Sequence, residues 1–258
     1  MTPRLMLAAA AALGALACAA PVQAQIETLP YDHMHLAAAS REQAMDWYLK
    51  HMGAARHELP DRVAFGKITF SWFVRPTSPS SDGSVIDHIG FSVPDVDATL
   101  ARLQAAGVKV LAPARTVPGL FKVAFVEDPW GVKIELVEDP ETPGFHHIHL
   151  RLPDPEKSLA WYQARFGGER ARLKGQLDGL RYDGLWLLVQ QADGAPRSEG
   201  RAIDHLGWRV RNLETTVAGA RARGDRITME PRMIRDVHVG VIESPDGVRI
   251  ELAQRPQF

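Results

Sequence analysis

Gly131-Val132-Lys133-Ile134-Glu135-Leu136 returns later in the chain as Gly247-Val248-Arg249-Ile250-Glu251-Leu252. Each copy follows an acid–X–Pro–X–Gly turn, Glu127-Asp128-Pro129-Trp130-Gly131 first and Glu243-Ser244-Pro245-Asp246-Gly247 second. Proline and glycine punctuate the chain, and a short run of strand-formers begins. Side chains alternate between the faces of a strand, so Ile134 and Leu136 point towards a core while Lys133 and Glu135 point away from it. The pattern therefore places a glutamate twice on the second face.

The repeat extends well beyond this stretch. Val85-Ile86-Asp87-His88-Ile89-Gly90-Phe91 matches Ala202-Ile203-Asp204-His205-Leu206-Gly207-Trp208, with an offset of 205 − 88 = 117. The glutamates are offset by 251 − 135 = 116, and His33-Met34-His35-Leu36 matches His147-Ile148-His149-Leu150 with 147 − 33 = 114. A few short indels account for the drift. The chain is a tandem duplication of a domain-sized unit. A weaker repeat lies inside each half, because His33, His88, His147 and His205 each open a short strand followed by a helix. The reading is an α+β fold of four β-α-β-β-β modules paired into two tandem domains, residues 27–140 and 145–254.

Residues 1–24 read as a secretory signal: Arg4, a Leu/Ala run from Leu5 to Ala20, and the small-residue cleavage site Val22-Gln23-Ala24. The run is short for a membrane span. Export to the periplasm or the medium is the expectation, with a lipoprotein anchored at Cys18 as the rival. Cys18 is the single cysteine, so the mature chain offers no thiol nucleophile, thiolate ligand or disulfide. The net charge of −1 and the lack of a long basic run point away from nucleic acid.

Helix signals recur at matching places. Ser40 with Gln43 forms a capping box, Asp95, Asp154 and Asn212 stand at N-cap positions, and Pro155 follows Asp154. Gly107 and Gly224 are left-handed stops. Glu138 to Gly144 is acidic and Pro-rich and reads as the domain boundary.

Each half then holds two module-opening histidines and one closing glutamate: His33, His88 and Glu135, and His147, His205 and Glu251. Two imidazoles and a carboxylate can hold one face of a divalent ion. A lone strand histidine is usually a hydrogen-bonded structural residue, and a lone strand glutamate usually a solvated one. Recurrence sets these residues apart, four times for the histidine and twice for the glutamate. His35 and His149 lie two residues on, on the same face.

With those residues in place, the chain resembles the vicinal oxygen chelate proteins, among them glyoxalase I, bleomycin-resistance proteins, methylmalonyl-CoA epimerase and extradiol dioxygenases. The resemblance covers Tyr31 to Gln254. It is carried by His33 and His147, each fifteen residues before Tyr48 and Tyr162, by the two Asp-His-(Ile/Leu)-Gly strands, and by Asp128 to Leu136. It implies curled sheets enclosing a cleft and a divalent metal (Fe(II), Mn, Zn, Ni or Co) held by the six residues above. His35, His149, Gly90 and Gly207 become cleft-wall positions, and His35 or His149 a general base. Glyoxalase I carries a further Glu or Gln on the closing strand of its first module. Here Ile68-Thr69-Phe70-Ser71 and Leu185-Trp186-Leu187-Leu188 hold neither. The extradiol signature has a Tyr where Phe125 and Val241 stand. Lys122 and His238 share one repeat position and could touch a substrate or stand as surface strand residues, the second reading being favoured.

The implied function is an exported metal-dependent enzyme acting on a small oxygen-rich compound. Oxygenative ring cleavage and lyase or isomerase chemistry both stay open, the three-ligand site favouring the former. A metal-free binder of the bleomycin-resistance type is the alternative. Modules could pair within the chain or across a homodimer.

Overall fold

Alternating apolar residues on the opening strands bury one face of each module and leave the histidine face to a cleft. In the computed structural model, which describes residues 28–255, four modules follow this plan. The leader read in residues 1–24, Cys18 included, lies outside the described residues.

Module one comprises β1 (Thr28–Ala38), α1 (Arg41–His51), β2 (Ala55–Arg56), β3 (Arg62–Phe65) and β4 (Ile68–Val74). Module two comprises β5 (Ile86–Ser92), α2 (Val96–Ala105), β6 (Lys109–Thr116), β7 (Lys122–Glu127) and β8 (Lys133–Val137). Module three comprises β9 (Gly144–Leu152), α3 (Pro155–Phe166), β10 (Glu169–Leu173), β11 (Leu177–Tyr182) and β12 (Leu185–Gln191). Module four comprises β13 (Ile203–Val210), α4 (Leu213–Ala222), β14 (Arg226–Ile234), β15 (Val237–Glu243) and β16 (Arg249–Gln254).

The helices start where the sequence says they should. Ser40, Asp95, Asp154 and Asn212 each accept a hydrogen bond from the backbone N–H three residues on, satisfying an otherwise orphaned donor. Gly107 and Gly224 follow the C-caps of α2 and α4 at φ 79° and 78°, a region costly for any residue with a Cβ.

Two mixed eight-stranded sheets result, ordered β14-β15-β16-β13-β1-β4-β3-β2 and β10-β11-β12-β9-β5-β8-β7-β6. The central seam of each sheet is antiparallel and joins the two halves of the chain. β1 pairs with β13, and β5 pairs with β9. Module one therefore partners module four, and module two partners module three. All four opening strands carry the same period-two pattern, so alternation sets faces but not neighbours. The boundary segment between β8 and β9 is short enough to turn the chain back beside β5.

One apolar cluster connects both sheets, with Met34, Ile89, Ile134, Ile148, Leu206 and Ile250 fully buried. Phe65 and Phe70 of the first sheet meet Phe91 and Phe145 of the second, with centroids from 5.0 to 6.5 Å apart. On the other side Trp208 stacks on Phe166 at 4.3 Å. Each such ring removes about 150–250 Å² from water, worth up to about 4–6 kcal/mol. Among the described residues no helix is long and apolar enough to cross a membrane.

Candidate metal centres

The candidate donor residues lie along the seams. In the β1/β13 cleft the antiparallel register sets His33 opposite Gly207 and His35 opposite His205. β16 runs parallel to β13 and brings Glu251 beside Gly207. In the β5/β9 cleft, Gly90 faces His147 and His88 faces His149, while Glu135 on β8 lies beside Gly90. The donor sets are thus His33, His205 and Glu251 in one cleft, and His88, His147 and Glu135 in the other. This corrects the grouping by halves expected from sequence. His33 is apart from His88 and Glu135, and His147 is apart from His205 and Glu251, because each cleft draws one module from each half.

His33 Nε2 lies 3.2 Å from Glu251 Oε1, and His205 Nε2 lies 3.5 Å from Oε2. In the other cleft Glu135 Oε2 is 3.1 Å from both His88 Nε2 and His147 Nε2. The His88–Glu135 contact is a hydrogen bond, but distance alone does not make the other three so. Nε2 of His33, His147 and His205 are all buried without an aligned partner, as are Nδ1 of His35 and both ring nitrogens of His149. Orphaned buried nitrogens are costly unless something else satisfies them. Donor atoms of His88, Glu135, His147 and His149 lie within 4.8 Å of one another, as do those of His33, His35 and His205. Glu251 falls outside that limit with respect to the second group, yet touches two of its three histidines. Imidazole nitrogen and carboxylate oxygen together suit zinc, iron, nickel, cobalt or manganese. These residues fit a divalent ion in each cleft.

The other ring nitrogen of each opening histidine is fixed from behind. Asp32 Oδ2 is 2.8 Å from His33 Nδ1, Asp87 Oδ2 is 2.6 Å from His88 Nδ1, and Asp204 Oδ1 is 2.8 Å from His205 Nδ1. Such a contact selects the tautomer whose Nε2 faces the cleft. Lys133 donates to Asp87 at 2.8 Å and Arg249 to Asp204 at 2.9 Å. The recurring Gly-Val-(Lys/Arg)-Ile-Glu-Leu stretch thus supplies both a cleft carboxylate and the cation that anchors the aspartate behind a histidine. Module three departs from this rule. His146 replaces the aspartate, its Nδ1 2.7 Å from His147 Nδ1 and its Nε2 3.2 Å from Asp139.

Burial alone would raise the Glu135 and Glu251 carboxyls, but the paired histidines outweigh it and hold both well below the ordinary range. Burial would lower His33, yet Asp32 and Glu251 lift it to about 9. Burial wins at His147, which is pushed down to about 4, and at His35 and His149, which neighbouring histidines depress further.

Gly90 and Gly207 have a steric role. A Cβ on Gly90 would come within 2.0 Å of the His147 ring, and one on Gly207 within 2.1 Å of the His33 ring. Lys122 and His238 face away from the clefts. Lys122 pairs with Asp97 on α2, and His238 lies 3.5 Å from Glu214 on α4. The supporting roles of Asp32, Asp87, Asp204, Lys133 and Arg249 were missed in the sequence, although the recurring Asp-His dipeptide was a readable signal.

The sequence model of the Glyoxalase/Bleomycin resistance protein/Dioxygenase superfamily matches residues 31–136 and 144–252, and the chain belongs to that superfamily. A probable chloroplastic lactoylglutathione lyase of Arabidopsis thaliana is 35% identical over 181 residues, 64% of this chain and 51% of that protein. A lactoylglutathione lyase of Haemophilus influenzae is 38% identical over 77 residues, covering 30% of this chain and 55% of its own length. The chain thus spans about half the length of these curated relatives. Glyoxalase I from Zea mays shares the fold at a TM-score of 0.69 and 16% identity, covering 87% of this chain and 92% of that one. A putative dioxygenase from Bacillus subtilis does so at 0.62 and 19%, covering 90% and 87%.

Proposed function

We propose that the protein is a divalent-metal-dependent enzyme of the glyoxalase type, performing lyase or isomerase chemistry on a small compound that presents two adjacent oxygens. The observation that carries this is the convergence, in each cleft, of imidazole nitrogens and one carboxylate with no other hydrogen-bond partner for most of those nitrogens. The names of the curated relatives support the reaction class. A bound ion would supply a Lewis acid that polarises a carbonyl oxygen.

The chain's own residues do the rest. Asp32, Asp87 and Asp204 orient the histidines behind which they lie. Glu135 and Glu251 are held ionised; both histidine contacts of Glu135 fall on Oε2, which leaves its Oε1 to take a proton, whereas Glu251 uses one oxygen for each histidine. Val123, Phe125, Trp186 and Leu188 exclude water from the walls of the β5/β9 cleft. Thr69 and Ser71 offer hydroxyls at the equivalent places in the β1/β13 cleft. We further propose that residues 1–24 direct export. An exported enzyme works away from the cytoplasmic glutathione pool, which favours a free 1,2-dicarbonyl compound as substrate.

The test begins with metal content of the full chain, where about two equivalents are expected, one per donor set. The metal-loaded protein is then assayed with lactoylglutathione and with small 1,2-dicarbonyls, before and after chelator treatment. Turnover that chelation abolishes supports the reading. Tight ligand binding indifferent to the chelator, with no turnover, replaces it with a sequestering role. Cell fractionation tests export.

One observation favours a second reaction. Ser71 and Leu188 stand where glyoxalase I is expected to carry a further Glu or Gln, so ring-opening of a catechol by dioxygen is the second reading. Oxygen uptake dependent on Fe(II) and a catechol would select it.

A further inference from the structure

The residue two places after each opening histidine faces the same cleft, because strand side chains repeat every second residue. Those residues are His35, Gly90, His149 and Gly207. The register sorts them into two kinds. Gly90 lies beside Glu135, and Gly207 beside Glu251. His149 lies beside Leu188, and His35 beside Ser71. In each cleft, then, one side has a glycine next to a carboxylate. The mirrored side has lost the carboxylate and has a histidine where the glycine would be.

We propose that His35 and His149 are themselves metal ligands, each taking the coordination position that a carboxylate at residue 71 or 188 would have filled, so that each cleft is a centre of three imidazoles and one carboxylate. This rests on the metal reading above and replaces the general-base role expected for these two residues from sequence.

The geometry supports it at both sites. His149 Nδ1 and Nε2 are both buried and without partners, and so is His35 Nδ1. The His149 ring centroid is 4.7 Å from that of His88 and 5.9 Å from that of His147. The His35 centroid is 4.4 Å from His205 and 5.1 Å from His33. Residues i and i+2 on a strand are about 6.6–6.8 Å apart along one face. Two imidazoles at that spacing converge on one ion at the usual nitrogen–metal distance of about 2.0–2.1 Å. Donor atoms on one ion sit about 3.0–3.4 Å apart at that bond length, so the rings need to swing inwards, and no hydrogen bond holds the free nitrogens of His149 back.

Zinc with four protein ligands is a closed tetrahedral site. Two vicinal substrate oxygens in addition to four protein donors require an ion that accepts six ligands, such as Fe(II), Mn(II), Co(II) or Ni(II).

The test is X-ray absorption on the full chain loaded with Co(II) or Ni(II), which counts imidazoles per ion without any substitution. About three per ion are expected, against about two if only the opening histidines bind. His149→Gly and His35→Gly copy the mirrored side of the same cleft. Each is expected to weaken metal binding in its own cleft by about 100-fold or more, since even outer-shell losses cost about 10- to 100-fold. His149→Gly combined with Leu188→Glu should recover affinity, with an imidazole exchanged for a carboxylate in the absorption spectrum. About two imidazoles per ion in the unsubstituted chain, with unchanged affinity in both glycine variants, would overturn the assignment while leaving the metal reading intact. Failure of the unsubstituted chain to take up any of the ions would overturn both.

Discussion

The two clefts share a donor set and a backbone plan, yet their walls are built differently. In the β5/β9 cleft, Phe121, Val123, Val137, Leu173, Trp186 and Leu188 form a separate buried cluster. The repeat places Val237, Val239, Ala253, Thr69 and Ser71 at the positions of Phe121, Val123, Val137, Trp186 and Leu188. Leu188 is 1% exposed, whereas Ser71 is half-buried. The mouths differ in the same sense. Gln176 donates to the Pro118 carbonyl at 3.1 Å, tying the β10–β11 turn to the β6–β7 turn over packed apolar side chains. Across the β1/β13 cleft the corresponding link is the ion pair of Arg235 with Asp61 at 3.0 Å, flanked by exposed Leu59, Met233 and Ile234. Duplication has kept the histidines and glutamates that face both clefts while the walls diverged. The β5/β9 cleft holds its donors on an apolar, well-packed frame, and the β1/β13 cleft on a more polar and open one.

The largest expected effect tests whether the clefts are separate centres. Glu135→Ala and Glu251→Ala should each remove about one of two bound metal equivalents and leave the other cleft loaded. Elemental mass spectrometry on each variant reads this directly, and simultaneous loss of both ions would break the comparison.

Next comes the packing of the walls. Leu188→Ala should cost about 2–4 kcal/mol, because it opens a cavity in a buried cluster. Ser71→Ala at the equivalent place should cost less than about 0.5 kcal/mol, as a substitution of a half-exposed residue. Urea unfolding of both variants gives the contrast, and equal costs would show that the two walls pack alike.

A smaller effect separates the two turns that precede the glutamates. Asp128 is buried, accepts hydrogen bonds from the Trp130 and Val132 N–H groups and the Tyr48 hydroxyl, and is pushed by burial up to about 7. Its counterpart Ser244 has nothing to ionise. A carboxyl raised in the folded state contributes stability that is fully present below its unfolded value near 3.8 and is lost as pH rises through about 7. Asp128→Asn removes that declining contribution, so in thermal unfolding between those limits the stability of the variant relative to the unsubstituted chain should rise with pH. A slope unchanged by the substitution would place its origin elsewhere.

The smallest effect concerns the mouth of the β1/β13 cleft. Arg235→Gln removes a surface ion pair whose arginine side chain is 71% exposed while leaving the Asp61–Arg62 pair in place, and should cost no more than about 0.5 kcal/mol, less at high salt. A cost well above that, insensitive to salt, would mean that this mouth is as firmly closed as the other.

Much of the molecule was legible before folding. The tandem repeat, the four modules, the helix caps and the turns before Lys133 and Arg249 followed from local chemistry, since a cap or a turn depends on residues a few positions apart. The eight residues that line the two clusters were also legible, because strand alternation decides which face a side chain takes. His35 and His149 could be placed on that face, but the register was needed to show that each stands beside a position lacking a carboxylate. The supporting shell was only half visible. The Asp-His dipeptides could be seen, but the anchoring of Asp87 by Lys133 and of Asp204 by Arg249 spans more than 40 residues.

What tertiary structure alone decided was which module partners which. Four opening strands with one shared pattern can pair edge to edge in more than one way, and the sequence period is the same in each. The choice of β1 with β13 and β5 with β9 turns on long-range hydrogen bonding and on the burial of Phe65, Phe70, Phe91 and Phe145 in one core between the sheets. That choice draws the donors of each cleft from both halves of the chain.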